Sequence, residues 1–209
     1  MEPSAGVPSA VLVLAGGEGR RLGGPKAWIP WDGRPLLVAV VERLASLAPD
    51  SVWVAARAGQ ELPAGPFRRA DDAIDDGGPL AGLAAGLGAI ALAAPDARVA
   101  VAACDYPFAD PALFLFLARK HPGADLVLPR SGGHLHPLHG IWRAKLAERC
   151  LDALSAGERR VRAVVDQGAV IVDERELEKI DARRALLNVN DLEDLDRART
   201  LADPDGTGR

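Results

Sequence analysis

The segment VLVLAGGEGRRLGGPKAW, Val11 to Trp28, most narrowly limits what this chain can fold into. Ala10 to Ala15 is a short apolar run closed by glycine, the pattern of a parallel strand buried on both faces. Of the ten residues from Ala15 to Gly24, five are glycine and two are arginine, and Pro25-Lys26 follows. Glycine loses more backbone entropy on folding than any other residue, so a loop of this kind stabilises nothing by itself. What it offers is a series of backbone N–H groups with no side chains in the way, which can wrap closely around phosphate. Arg21 and Lys26 supply the matching positive charge.

The periods downstream alternate. Leu36, Leu37, Val40, Val41, Leu44 and Leu47 share one helical face. Residues 51–56 read as a strand, 79–94 as a helix and 98–104 as a second buried strand. The pattern continues with a helix over 110–120 and strands over 125–129 and 138–142. Helices near 143–155 and 159–166, a strand over 169–172 and a helix over 191–202 complete it. Such alternation predicts an α/β fold, a three-layer sandwich with a mostly parallel, Rossmann-like sheet. Ligands in these sheets bind beyond the carboxyl ends of the strands at a switch in strand order. That places the glycine loop and the CDYPF segment, 104–108, at the site. No linker or composition break divides the chain, so one domain over 10–202 is expected, with flexible tails over 1–9 and 203–209.

Charge narrows the partners. With a formal net charge of -4 and a pI near 5.6, the chain lacks the cationic excess of proteins that coat nucleic acid or acidic membranes. Neither a nucleic-acid nor a membrane partner is expected. Any bound anion must be held by local cations. Cys104 and Cys150 lack metal-ligand spacing and imply reduced thiols in the cytoplasm. No secretory leader is visible, and the apolar runs fall short of the roughly 18 residues of a membrane helix.

Two familiar phosphate loops fail to match. A dinucleotide fingerprint would need glycine where Leu22 stands, and a P-loop would need Lys-Ser/Thr where Pro25-Lys26 stands. The loop with its following lysine instead resembles the signature of nucleotidyltransferases that activate a phosphorylated acceptor. The rest of the chain resembles one branch, the molybdenum cofactor guanylyltransferases, through DDGGPLAGLAAGL (75–87), ACDYPF (103–108), AGERRV (156–161) and NVNDLEDL (188–195). These motifs, in that family's order, span Leu14 to Leu195.

The resemblance implies transfer of GMP from GTP to the terminal phosphate of molybdopterin carrying molybdenum (Mo-molybdopterin), with release of pyrophosphate and dependence on Mg²⁺. It implies small-molecule substrates and a monomer, with molybdenum insertion proteins and molybdoenzyme chaperones as protein partners. The family's magnesium aspartate falls on Asp105 and its nucleotide aspartate on Asp71. Its loop contacts fall on Leu14, Ala15, Gly16, Gly17, Gly19, Arg21 and Lys26, and its guanine-side loop on Gly78, Pro79 and Leu80.

Phosphoryl transfer needs positioning and charge neutralisation more than covalent help. Lys26 is therefore expected over the α-phosphate, Arg21 over the departing β and γ oxygens, and Asp105 on the metal. Asp72 rivals Asp71 by one place within the acidic loop RRADDAIDDGG. Arg159 and Arg160 have the forked donors that suit phosphate or pterin. With His136, Asn188 and Asn190 they form the expected acceptor side. Asn188 and Asn190, where a strand is expected to meet the last helix, could equally cap that helix. His134, His136 and His139 have no cysteine or carboxylate partners nearby in sequence, so they do not read as a zinc site.

Two positions depart from the family pattern. Pro25 stands where many members have aspartate before the lysine, which is closer to the molybdopterin cytidylyltransferases, and Ala55 stands where an asparagine is common. LAGG and GGPLAG favour guanine. A sugar-phosphate nucleotidyltransferase and a non-catalytic nucleotide-binding adaptor are the remaining alternatives. Retention of both Lys26 and Asp105 speaks against the adaptor, since binding alone does not need both.

Overall fold

A computed structural model describes residues 6–203 apart from 18, 73, 75 and 181, with Arg20 described by its backbone only. The outer parts of the expected tails, 1–5 and 204–209, lie outside the described residues. Of the inner part of the first tail, Gly6 and Pro8 are buried, and the Ser9 N–H bonds the Arg98 carbonyl at 2.8 Å.

In chain order the elements are β1 (Ala10–Leu14), β2 (Pro30–Trp31), β3 (Arg34–Pro35), α1 (Leu36–Leu44), β4 (Val52–Arg57), β5 (Arg68–Asp72), α2 (Gly78–Ala91), β6 (Arg98–Ala103) and α3 (Pro111–Lys120). They continue as β7 (Leu126–Ser131), β8 (His134–Leu135), β9 (His139–Arg143), α4 (Ala147–Ser155), α5 (Arg162–Val165), β10 (Val170–Val172), α6 (Glu174–Leu177) and α7 (Leu192–Ala202). The main sheet runs β10-β7-β9-β6-β1-β4-β5, with β8 paired to β7. All neighbours are parallel except the pairs β6–β9, β7–β9 and β7–β8.

Strand β1 shows why the sheet needs cover on both sides. Val11, Val13 and Ala15 enter one core with α1, α3 and α7, while Ala10, Leu12 and Leu14 enter the other with α2, α4 and α5. Each face buries its own alternate set, so the run is apolar throughout. Helix α2 lies unusually close to β1. A Cβ on Gly86 would sit 2.4 Å from Leu12 Cδ1, and one on Gly82 would sit 3.2 Å from Leu14 Cδ2. Gly82 and Gly86, within the stretch that reads as a helix over 79–94, are thus what lets the helix approach the strand.

The order of strands creates the crevice. From β1 the chain moves outward through β4 to β5, then returns through α2 to place β6 on the other side of β1. The loops after β1 and β6 therefore leave the sheet side by side at the switch point.

The sequence reading misses β5. RRADDAIDDGG reads as a solvated loop, yet Arg68–Asp72 pairs in parallel with β4 at the sheet edge. Only Ala70 and Asp72 of its five residues are buried, so the alternation is short and is masked by residues depleted in strands. Charged residues also suit an edge, because they discourage further pairing. The helix expected over 159–166 contracts to Arg162–Val165, and no strand precedes Asn188, which follows a 3₁₀ turn at Arg184–Leu186.

Candidate active site

The cradle is shaped by glycines that no other residue could replace without strain. Gly17, Gly19 and Gly23 all have positive φ, and a Cβ on Gly19 would lie 1.9 Å from the Gly24 carbonyl oxygen. That closeness lets the Gly19 carbonyl accept the N–H groups of Leu22 at 2.7 Å and Gly24 at 3.3 Å, closing the loop on itself. The Lys26 N–H then reaches the Gly17 carbonyl at 3.4 Å. Leu14 and Ala15 are buried beneath, while Gly16, Gly17 and Arg21 are exposed. Among the described residues, the chain neighbours of Gly16 aside, no atom lies within 4 Å of a Cβ built on it, so its backbone is uncovered by them.

Lys26 reaches across the crevice. Its Nζ donates to Asp105 Oδ2 at 2.6 Å and to Asn190 Oδ1 at 3.2 Å. Both side chains of the ion pair are 15% exposed. Asp105 is held by backbone: the Cys104 N–H bonds the Leu14 carbonyl at 3.0 Å, and the Asp105 carbonyl accepts the Val189 N–H at 2.8 Å. The second bond brings Asn190 to the site. Helix capping, offered by the sequence as the alternative for the asparagines, is done by Asp191, whose side chain accepts the Asp194 N–H at 2.9 Å. Asn188 is exposed, and no contact with Lys26 or Asp105 is described for it. The other carboxylate oxygen of Asp105, Oδ1, is buried without a hydrogen-bond partner among the described residues. Such an oxygen is costly to leave unmatched and suits a cation.

On the β4–β5 side, Asp71 is exposed and accepts from Arg69 Nε at 2.7 Å. Arg69 also donates to the carbonyls of Gln60 at 2.7 Å and Arg57 at 2.9 Å. The Gln60 side-chain amide in turn donates to the Ala15 carbonyl at 3.1 Å. A continuous polar chain therefore runs from Asp71 to the start of the cradle. Asp72 has another task, since its buried carboxylate accepts the Ile74 N–H at 2.9 Å. Sequence reasoning missed Gln60 and Arg69. No motif marks Gln60, but Arg69 and Asp71 would have stood out as same-face neighbours had β5 been recognised.

At the start of α2, Gly78 has φ +62, and a Cβ there would lie 3.5 Å from the Arg159 carbonyl oxygen. Pro79 is exposed, whereas the Leu80 side chain is fully buried in the core, leaving only its backbone for a ligand. The Arg159 guanidinium turns back to the carbonyls of Leu154 at 3.1 Å and Glu158 at 2.9 Å, closing the end of α4. Arg160 is exposed.

The three histidines have different surroundings. His134 is exposed on β8, and His136 Nδ1 lies 3.0 Å from the Tyr106 hydroxyl. The His139 ring is fully buried, stacked on Tyr106 at 4.2 Å and tilted against Phe114 at 4.8 Å. Burial, and then neighbouring His136, push His139 down to about 3. Burial first and His134 second also lower His136.

A pH dependence follows for stability. The unfolded chain protonates His139 near 6.5, while the folded chain keeps it neutral down to about 3. Protons therefore favour the unfolded state in that window, and stability falls as pH falls by about 1.4 kcal/mol per unit from this group. Urea midpoints measured from pH 7 to pH 4 are expected to drop less steeply for His139→Phe than for the parent chain. Equal slopes would mean that His139 is protonated in the fold.

A family model described as a MobA-like NTP transferase domain matches residues 11–172. The chain belongs to the MobA-like NTP transferase family. It is 37% identical over 199 residues to the molybdenum cofactor guanylyltransferase of Pseudomonas paraeruginosa, covering 92% of this chain and 96% of that protein. It is 36% identical over 192 residues to a probable molybdenum cofactor guanylyltransferase of Mycobacterium tuberculosis, covering 86% and 92%. Among solved structures, molybdopterin-guanine dinucleotide biosynthesis protein A of Archaeoglobus fulgidus shares the fold with a TM-score of 0.75 at 23% identity, covering 93% of this chain and 99% of that one. The 2-C-methyl-D-erythritol 4-phosphate cytidylyltransferase of Thermus thermophilus shares it at 0.66 and 20%, covering 94% and 99%. Within this MobA-like chain, Asn190 lies beyond the range matched by the family model yet meets Lys26.

Proposed function

We propose that this nucleotidyltransferase transfers GMP from GTP to the phosphate of Mo-molybdopterin, forming the molybdopterin guanine dinucleotide and releasing pyrophosphate. The observation that carries the reading is the meeting of Lys26, Asp105 and Asn190 at the switch point, with the Lys26 stem over Gly17 and the exposed backbone of Gly16 next to it. An acceptor phosphate oxygen bonds to the α-phosphorus as the bond to the β-bridging oxygen breaks, and that oxygen leaves on pyrophosphate. Two anions must meet for this to happen. Lys26 offsets the charge at the α-phosphate, while the cradle amides and Arg21 hold the departing oxygens.

Asp105 is the residue that would hold Mg²⁺, and its unpartnered Oδ1 supports the assignment. One carboxylate suits this ion, which keeps several waters and takes its other ligands from substrate phosphates. When bound, Mg²⁺ supplies positive charge against the phosphate oxygens. On the nucleotide side, the chain from Asp71 through Arg69 and Gln60 fixes Ala15. His136, Arg160 and Asn190 serve the acceptor, and Arg159 contributes backbone and capping. In the same reading the domain spans 10–202 and works as a cytoplasmic monomer with Cys104 and Cys150 reduced. Both thiols are buried, and among the described residues no helix is long and apolar enough to cross a membrane.

Product analysis tests the reaction, with Mo-molybdopterin and Mg²⁺ offered GTP or CTP in parallel. GMP transfer is the expected result. CMP transfer would overturn the base assignment, and binding of GTP without transfer would favour a non-catalytic module.

A further inference from the structure

The geometry points to a head-group pocket for the pterin ring of the acceptor between the β7–β8 hairpin and the α5–β10 segment, with Asp166 as its recognition carboxylate. The inference rests on the reading that the acceptor is a molybdopterin. A hollow of about 870 Å³ lies there. That is within the range of about 300–1,000 Å³ found for small-molecule sites. Arg130 at the carboxyl end of β7 forms part of its wall, and Gly168, Ala169 and Ile171 contribute from the approach to β10 and from the strand itself. The nucleotide candidates lie on the β1–β4–β5 side of the switch, and the hollow lies on the other side, as two substrates meeting at Asp105 require.

Its lining matches a pterin. Leu135, Val165 and Ile171 give apolar walls for a flat ring, and Arg130 and Arg162 offer guanidinium planes on which such a ring stacks. The pyrimidinone edge of a pterin presents an amino group and a ring N–H side by side, which one carboxylate can accept together. Asp166 is the carboxylate among the described lining residues. Its present partner is Arg162 Nε at 3.2 Å, an ion pair with both side chains mostly exposed at 82% and 63%. Such a pair is weak and exchanges readily for a ligand.

Two further observations connect the hollow to the reacting centre. Pro137 lines it, and the preceding residue, His136, bonds Tyr106 at 3.0 Å, next to Asp105 in the chain. The Arg159 guanidinium, expected from sequence to read the acceptor, donates to the carbonyls of Leu154 in α4 and of Glu158. Recognition of the ring falls to side chains further along the same segment, Arg162 and Asp166.

The test is fluorescence titration of the full chain with pterin-6-carboxylate, an intrinsically fluorescent probe that needs no turnover. Saturable binding is expected. Asp166→Asn and Ile171→Trp, which respectively remove the charge and fill the hollow, should each weaken it at least about tenfold, the loss of one charged hydrogen bond or its equivalent. GTP affinity should be unchanged in both. Asp166 is exposed, so its variant is expected to fold even if Ile171→Trp does not. No pterin binding to the parent chain, or equal binding to Asp166→Asn, would overturn the pocket. In transfer assays, an unchanged KM for Mo-molybdopterin in Asp166→Asn would overturn it while leaving GMP transfer standing. Pterin binding that depends on Asp166 in a chain that transfers no GMP would support the pocket and remove the transferase reading.

Discussion

Lys26→Ala is expected to lower the rate of GMP transfer about 10²–10³-fold, the scale of losing one well-placed charge in a water-poor site. The side chain is replaceable without disturbing the cradle, because the loop is closed by backbone bonds at Gly19 and Gly17. Its stem lies over Gly17, where a built Cβ would be 3.4 Å from Lys26 Cδ, so truncation leaves a surface gap. An ammonium has three donors. Two of them reach Asp105 and Asn190, and both acceptors belong to the site itself. The group is therefore held at the crevice before substrate arrives, and little reorganisation is needed as charge develops. Lys26→Arg should rescue only in part, since a planar fork does not reproduce a compact point charge. Steady-state rates alongside melting temperatures decide the matter. A near-parental rate would remove Lys26 from the chemistry, and a rate loss matched by unfolding would make the Lys26–Asp105 pair structural.

Much of this arrangement was legible in the sequence because its parts are local. An apolar run ending in glycine specifies β1 and its cradle whatever the rest of the chain does, and VAVAAC followed by Asp105 does the same for β6. Periodicity then gave the three layers. What it could not give was contact between distant segments. Asn190 reaches Lys26 because the Val189 N–H bonds the Asp105 carbonyl, a backbone pairing with no side-chain signal. Arg159 carries backbone contacts that its motif does not announce. An arginine beside a nucleotide motif invites a phosphate role, and in the fold its guanidinium also donates to the carbonyls of Leu154 at 3.1 Å and Glu158 at 2.9 Å. Gln60 escaped notice because its function depends on the fold of the β4–β5 connection, where Arg69 pins the Arg57 and Gln60 carbonyls. The acidic loop became a strand for a similar reason: pairing with β4 outweighed the poor strand preference of aspartate.

Asp105→Asn separates the proposed metal role of this residue from its ion pair. An asparagine oxygen still accepts from Lys26, and the backbone carbonyl that anchors Val189 is untouched, so both the fold and the approach of Asn190 should persist. What disappears is the negative charge, together with the unpartnered Oδ1 that can face a cation. Turnover is expected to fall at least about 10³-fold, because two phosphate groups would then approach with much of their charge uncompensated. Activity alone would not identify the cause, so the deciding readout is GTP affinity measured by calorimetry with and without Mg²⁺. The parent chain should bind GTP more tightly with the ion present, and the variant should bind it about equally in both conditions. Persistence of the Mg²⁺ effect in Asp105→Asn would place the ion on other groups. A variant that loses stability while keeping the Mg²⁺ effect would make Asp105 a structural partner of Lys26. If the effect is lost in a chain of parental stability, Asp105 is charged in order to hold a cation that Lys26 cannot replace, even though their side chains lie 2.6 Å apart.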